Sequence, residues 1–74
     1  MEKFIENFAA QFDETEAAVF TPTTIFREIE EWSSLTALSI IAMVDEEYQA
    51  KLTGDDIRAS KTIGDIYNCV KSKI

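Results

Sequence analysis

The stretch Ser33-Ser34-Leu35-Thr36-Ala37-Leu38-Ser39-Ile40-Ile41-Ala42-Met43-Val44-Asp45-Glu46-Glu47-Tyr48-Gln49-Ala50 decides the fold. It holds neither glycine nor proline and opens on a serine pair suited to capping a helix, so it predicts a helix from the serines to about Ala50. At helical spacing, Ile40, Ile41, Val44 and Tyr48 share one sector about 100° wide, the width of a core-facing stripe. A second apolar stripe, Leu35, Leu38 and Ala42, clusters within about 60° on a different side. Asp45 separates the two on one edge, and Thr36, Met43 and Glu47 on the other. One stripe serves a core; the second marks a contact surface.

Upstream, Phe4, Phe8 and Phe12 recur every four residues beside Ile5, with Glu6, Asn7, Asp13 and Glu14 at other angles, which predicts an amphipathic helix from Glu2 to about Ala18. From Phe20 to Ser33, Thr21-Pro22-Thr23-Thr24 breaks the pattern and predicts a long loop. Phe20, Ile25, Phe26, Ile29 and Trp32 are its apolar pins. Downstream, Gly54 marks a break, and Asp55 or Asp56 starts a short turn through Ile57 and Ala59. Thr62 with Asp65 three residues on predicts a capping box opening a last helix, whose core face is Ile63, Ile66, Tyr67, Val70 and Ile74. The expected fold is all-α: a single domain over residues 1–74 forming a small four-helix bundle, three main helices and one short one, with a long loop between the first two.

Composition narrows the function. Hydrophobic residues make up 46% of the chain against only two glycines and one proline, so a thin core can form without metal or disulfide. With no histidine and Cys69 as the one cysteine, Ser-His-Asp and Cys-His catalysis and thiolate–imidazole zinc sites are excluded. No enzyme chemistry and no metal site are expected. The net charge of −7 repels phosphate backbones, so nucleic acid is a poor partner, and basic protein surfaces are favoured. Residues 1–31 carry −6 of this, from Glu2, Glu6, Asp13, Glu14, Glu16, Glu28, Glu30 and Glu31 against Lys3 and Arg27. No window approaches the roughly 18 apolar residues of a membrane span, so a soluble, cytoplasmic chain without membrane insertion is expected. The charge and the lack of a long heptad pattern point to a monomer.

Ser34 is the candidate for chemistry. At the start of a helix, unpaired backbone N–H groups and the positive end of the dipole favour an attached phosphate. On physical grounds alone, both serines also read as ordinary caps. Other residues have bland roles: Trp32 as packing, Cys69 as a small buried or half-buried side chain, and Asp45-Glu46-Glu47 as a solvated helix face without the ligand spacing of a calcium loop.

Four pieces in order carry a family likeness: Phe26-Arg27-Glu28-Ile29, Trp32-Ser33-Ser34-Leu35, Asp45-Glu46-Glu47-Tyr48 and Lys61-Thr62-Ile63-Gly64-Asp65-Ile66. Together they resemble the acyl carrier proteins, small acidic four-helix proteins whose serine bears a 4′-phosphopantetheine arm. The resemblance spans the whole chain and implies that Ser34 is the attachment site, loaded from coenzyme A by a phosphopantetheinyl transferase. It further implies acyl-processing partner enzymes with basic docking surfaces. These would contact Leu35, Leu38 and Ala42 and be steered by Glu30, Glu31, Asp45, Glu46 and Glu47. Ile40, Val44 and Ile57 would line an interior able to shelter an acyl chain. Two departures bear on function: Ser33 stands where the family has aspartate, which implies slower loading, and Thr36 and Ser39 stand where it tends to carry acids. They favour a specialised fatty-acid or polyketide-like pathway over housekeeping synthesis. The alternative is an unmodified helical interaction module that uses the Leu35, Leu38 and Ala42 face noncovalently.

Overall fold

Helix α1 (Glu2–Ala9) places Phe4 and Phe8 one turn apart on a single face, both buried, with Glu2 in the first turn favourably opposed to the helix dipole. A computed structural model describes all 74 residues. The helix is shorter than the expected run to Ala18. Its last bonds tighten, Gln11 N–H to the Phe8 carbonyl and Phe12 N–H to that of Ala9, which still delivers Phe12 to the core at 7% exposure. Beyond that point the backbone turns because the N–H groups of Asp13 and Glu14 are donated to the Glu31 carboxylate, at 2.7 and 3.0 Å. Ala17–Val19 is then a separate 3₁₀ turn.

The long connection is tied down along its length. Phe20, Phe26 and Ile29 are buried, Ile25 and Trp32 are half-buried, and a second 3₁₀ turn spans Phe26–Glu28. Ile63 N–H donates to the Thr24 carbonyl at 3.0 Å and Gly64 N–H to the Pro22 carbonyl at 2.9 Å, so loop carbonyls satisfy the opening amides of the last helix. A side chain at Gly64 would place its Cβ 2.9 Å from the same Pro22 oxygen, which explains glycine at this position. The Arg27 guanidinium donates to the carbonyls of Ile57 at 2.6 Å and Ser60 at 2.8 Å while lying over the Phe26 ring. It thereby closes the end of α3 from across the loop.

Helix α2 (Ser34–Tyr48) is the longest element. It stops two residues before the expected end, at Gln49, whose left-handed backbone (φ 53°) turns the chain. The turn carries Ala50 and Leu52, each 3% exposed, into the core. The buried residues of α2 are Thr36, Ile40, Met43 and Val44, with Ile41 and Tyr48 half-buried. The core face is thus rotated by roughly 70° from the expected stripe, toward Thr36 and Met43.

Helices α3 (Gly54–Ala59) and α4 (Ile63–Lys71) both begin with capping boxes, Thr53 with Asp56 and Thr62 with Asp65. The cap of α3 is Thr53, upstream of the expected Asp55 or Asp56. Ile63, Ile66 and Val70 of α4 are buried, whereas Ile74, expected on that face, lies past the helix end and is 66% exposed. The result is an all-α bundle of three main helices and one short one around a single aromatic-aliphatic core.

Arg27→Ala removes both bonds to the α3 carbonyls and should cost about 1–2 kcal/mol. In a domain this small that lowers the melting temperature by roughly 5–10 °C. Arg58→Ala, which removes only the exposed pair with Asp55, should change it little, and circular dichroism melts of the two variants provide the comparison.

Candidate functional site

The two serines at the start of α2 have different surroundings. Ser33 is the N-cap: its backbone is extended (φ −156°, ψ 176°) and its Oγ accepts the Thr36 N–H at 3.3 Å. Ser34 is the first helical residue, exposed, with its hydroxyl in no hydrogen bond within the chain. Capping is therefore done by one serine and the neighbouring hydroxyl is left free. The first turn of α2 contains no acidic residue, so the positive end of its dipole is unopposed beside Ser34.

Three contacts hold this corner in place. Trp32 packs its ring 4.8 Å from that of Phe26, 6.4 Å from Phe12 and 6.5 Å from Phe8, nearly parallel to the last. Its position is a packing one, as expected. Thr36, 9% exposed, donates its hydroxyl to the Glu31 carbonyl at 3.2 Å and lies 3.3 Å from Ser33 Oγ. The Glu31 carboxylate accepts the Thr15 hydroxyl at 2.7 Å in addition to the Asp13 and Glu14 amides. The Thr15 hydroxyl first, and the Asp13 amide next, hold its pKa below the ordinary glutamate range.

The expected partner surface divides accordingly. Leu35 is 76% and Leu38 60% exposed, and Ala42 is exposed with them, so the second apolar stripe of α2 faces outward. Glu30, Asp45, Glu46 and Glu47 are also exposed. Glu31 is committed to the clasp just described and offers less to a partner than its free neighbours. Asp45–Glu47 lie about 17–20 Å along the helix axis from Ser34, at the negative end of the dipole with no basic residue in the last turn. Their placement works against the helix itself.

Thr36 occupies a position where an acid would be buried, so its identity follows from packing. Ser39 is half-buried on the side facing the end of α1. Ile40, Val44 and Ile57 are packed in the core at 0%, 0% and 5% exposure. Three clefts open on the surface. One is lined by Glu14, Thr15, Glu30 and Glu31, one lies between α2 and the end of α1, and one lies beside Met1, Ile5 and Phe20. Cys69 is half-buried, and desolvation, with the Asp56 charge second, raises its thiol pKa, so it is a poor nucleophile. No group of three or more His, Cys, Asp or Glu is arranged to hold a metal ion, and no helix is long and apolar enough to cross a membrane.

Two structural roles were missed in the sequence reading. The Thr53-x-x-Asp56 spacing is the same local signal as Thr62 with Asp65. The Glu31 clasp carries no local signal, since its partners lie 16–18 residues upstream. Comparisons with family models, with curated proteins and with solved structures find no match for the chain.

Because the folded-state pKa of Glu31 is lowered, its contribution to stability is complete above the ordinary glutamate pKa of about 4.3 and is lost as pH falls through the folded value. Glu31→Gln should therefore melt below wild type at neutral pH, with the difference narrowing as the pH falls below the ordinary glutamate pKa. Asp56 and Asp65, lowered chiefly by the backbone amides of Thr53 and Thr62, keep a residual acid sensitivity in the variant. Thermal melts across that pH range provide the check; a constant difference would mean that an ionised carboxylate does not hold the clasp.

Proposed function

We propose that this chain is a covalent acyl carrier, with Ser34 the attachment point for 4′-phosphopantetheine. The observation that supports the reading most is the exposed, unbonded Ser34 hydroxyl at the first helical position, beside a different serine that performs the capping. An amide-rich, acid-free helix start suits a phosphodiester, because unpaired N–H groups and the dipole stabilise its negative charge. Loading joins Ser34 Oγ to the coenzyme A phosphorus that bears the pantetheine arm, releases adenosine bisphosphate, and passes the serine proton to the transferase. When bound, the arm supplies a thiol that holds an acyl group as a thioester. The chain itself performs no bond-making on that group; it orients the arm and presents it.

In this reading the partners are a phosphopantetheinyl transferase and acyl-processing enzymes with basic docking surfaces, acting in the cytoplasm. Leu35, Leu38 and Ala42 provide an exposed apolar strip, and Glu30, Asp45, Glu46 and Glu47 steer encounter with cationic surfaces. The acids at the end of α2 oppose the helix dipole, a local cost that a steering role accounts for. Ser33 in place of the family's aspartate removes a charge next to the attachment site and favours a transferase and pathway other than those of housekeeping fatty-acid synthesis.

Intact-mass spectrometry after incubation with coenzyme A and a broad-specificity transferase tests the proposal. Wild type should gain one phosphopantetheine, Ser34→Ala none, and Ser33→Asp should load faster than wild type. If neither wild type nor Ser33→Asp gains mass while circular dichroism confirms the folded helices, the carrier reading fails and the noncovalent interaction module takes its place.

A further inference from the structure

We infer that the attached arm lies along the surface of α2 and enters the cleft between α2 and the end of α1, rather than passing into the bundle core. This rests on the carrier reading above. The cleft has a volume of about 340 Å³, an apolar floor of Ala10, Ala42 and Met43, and polar walls from Asn7, Gln11, Ser39, Glu46 and Glu47.

The walls are rich in hydrogen-bond acceptors. The Asn7 amide nitrogen donates to the Tyr48 hydroxyl at 3.2 Å, and the Gln11 amide nitrogen donates to the Asn7 backbone carbonyl at 3.2 Å. One N–H of each side-chain amide is thus engaged within the protein, and the two side-chain carbonyl oxygens, with the Glu46 and Glu47 carboxylates, are acceptors open to a ligand. A pantetheine chain carries two secondary amides whose N–H groups need acceptors, and methylenes that suit the apolar floor.

The route is set by helix geometry. Ser34, Leu38 and Ala42 are spaced four residues apart and form one ridge along α2, which leads from the attachment point over Leu38 to the cleft floor. The axial rise from Ser34 to Ala42 is about 12 Å. An extended arm of about 14 bonds reaches roughly 17 Å, enough to cover that distance. The other sites fit worse. The cleft lined by Glu14, Thr15, Glu30 and Glu31 offers no apolar residue to the arm's methylenes. The cleft at Met1 and Phe20 contains no residue of α2. In the core, Ile40 and Val44 are fully enclosed, so entry would require displacing packed side chains.

Amide chemical shifts of the loaded protein minus the unloaded protein, from ¹⁵N-labelled samples of confirmed mass, test the inference. The expected result is perturbation at Gln11, Ala42 and Met43 in addition to Ser34 and Leu35. In Ala10→Phe, which fills the cleft from the α1 side, loading should persist while the perturbations at Gln11 and Met43 disappear. Gln11→Leu, which removes one acceptor with little added bulk, should reduce them. Perturbation confined to Ser34–Leu38, or reaching Ile57 and Ile63, overturns this inference and leaves the carrier reading intact. Failure of both the wild-type chain and Ser33→Asp to gain mass overturns both.

Discussion

The rest of the structure depends on the enclosure of Phe8. Its ring is fully buried and lies within 5.7 to 6.5 Å of the rings of Phe4, Phe12, Phe20, Phe26 and Trp32. Through those neighbours one side chain of α1 fixes both halves of the long connection and the residue that leads into the serine pair. Removing a buried phenylalanine ring from a core costs about 3–5 kcal/mol, a large share of the roughly 5–15 kcal/mol that holds a domain together. In a chain with so few core layers, the position of Ser34 is inherited from this aromatic packing. The backbone at Ser34 is placed by Trp32 and Thr36 on either side of it, both packed or bonded to the frame.

A second constraint sorts the acidic residues into two populations. Glu31, Asp56 and Asp65 direct their carboxylates at backbone amides, and each has a lowered pKa for that reason. They serve the fold: a clasp across the loop in one case and capping boxes in the other two. Glu30, Asp45, Glu46 and Glu47 have no such duty and remain exposed around the apolar strip of α2. The net charge of −7 is therefore not a uniform coating. The bonded acids belong to the frame, and these free ones are exposed on or beside α2.

Much of this was legible in the chain. The phenylalanine spacing, the loop pins, the Thr62 capping box and the outward Leu35-Leu38-Ala42 stripe each follow from a local pattern that tertiary packing leaves in force. Apart from the Thr53 capping box, whose signal is local, the failures share one cause, interaction over distance. Helix α1 ends at Ala9 because amides at Asp13 and Glu14 find a carboxylate far along the sequence, which periodicity cannot reveal. The core face of α2 turns toward Thr36 because its hydroxyl has a buried acceptor on Glu31, which makes a polar residue acceptable inside. Gln49 adopts a glycine-like conformation because burial of Ala50 and Leu52 favours the turn. The sequence also left undecided which serine caps α2, since either residue type suits the position. The geometry assigns that role to Ser33 and frees Ser34.

That division of labour is the central claim, and it is tested most directly by urea unfolding of Ser33→Ala and Ser34→Ala beside wild type. Loss of the cap in Ser33→Ala should lower the unfolding free energy by about 1 kcal/mol. Ser34→Ala should stay within about 0.5 kcal/mol of wild type, as expected for an exposed side chain without structural bonds. A Ser34→Ala variant destabilised as much as Ser33→Ala would contradict the account, because the hydroxyl described as free would then be holding the helix.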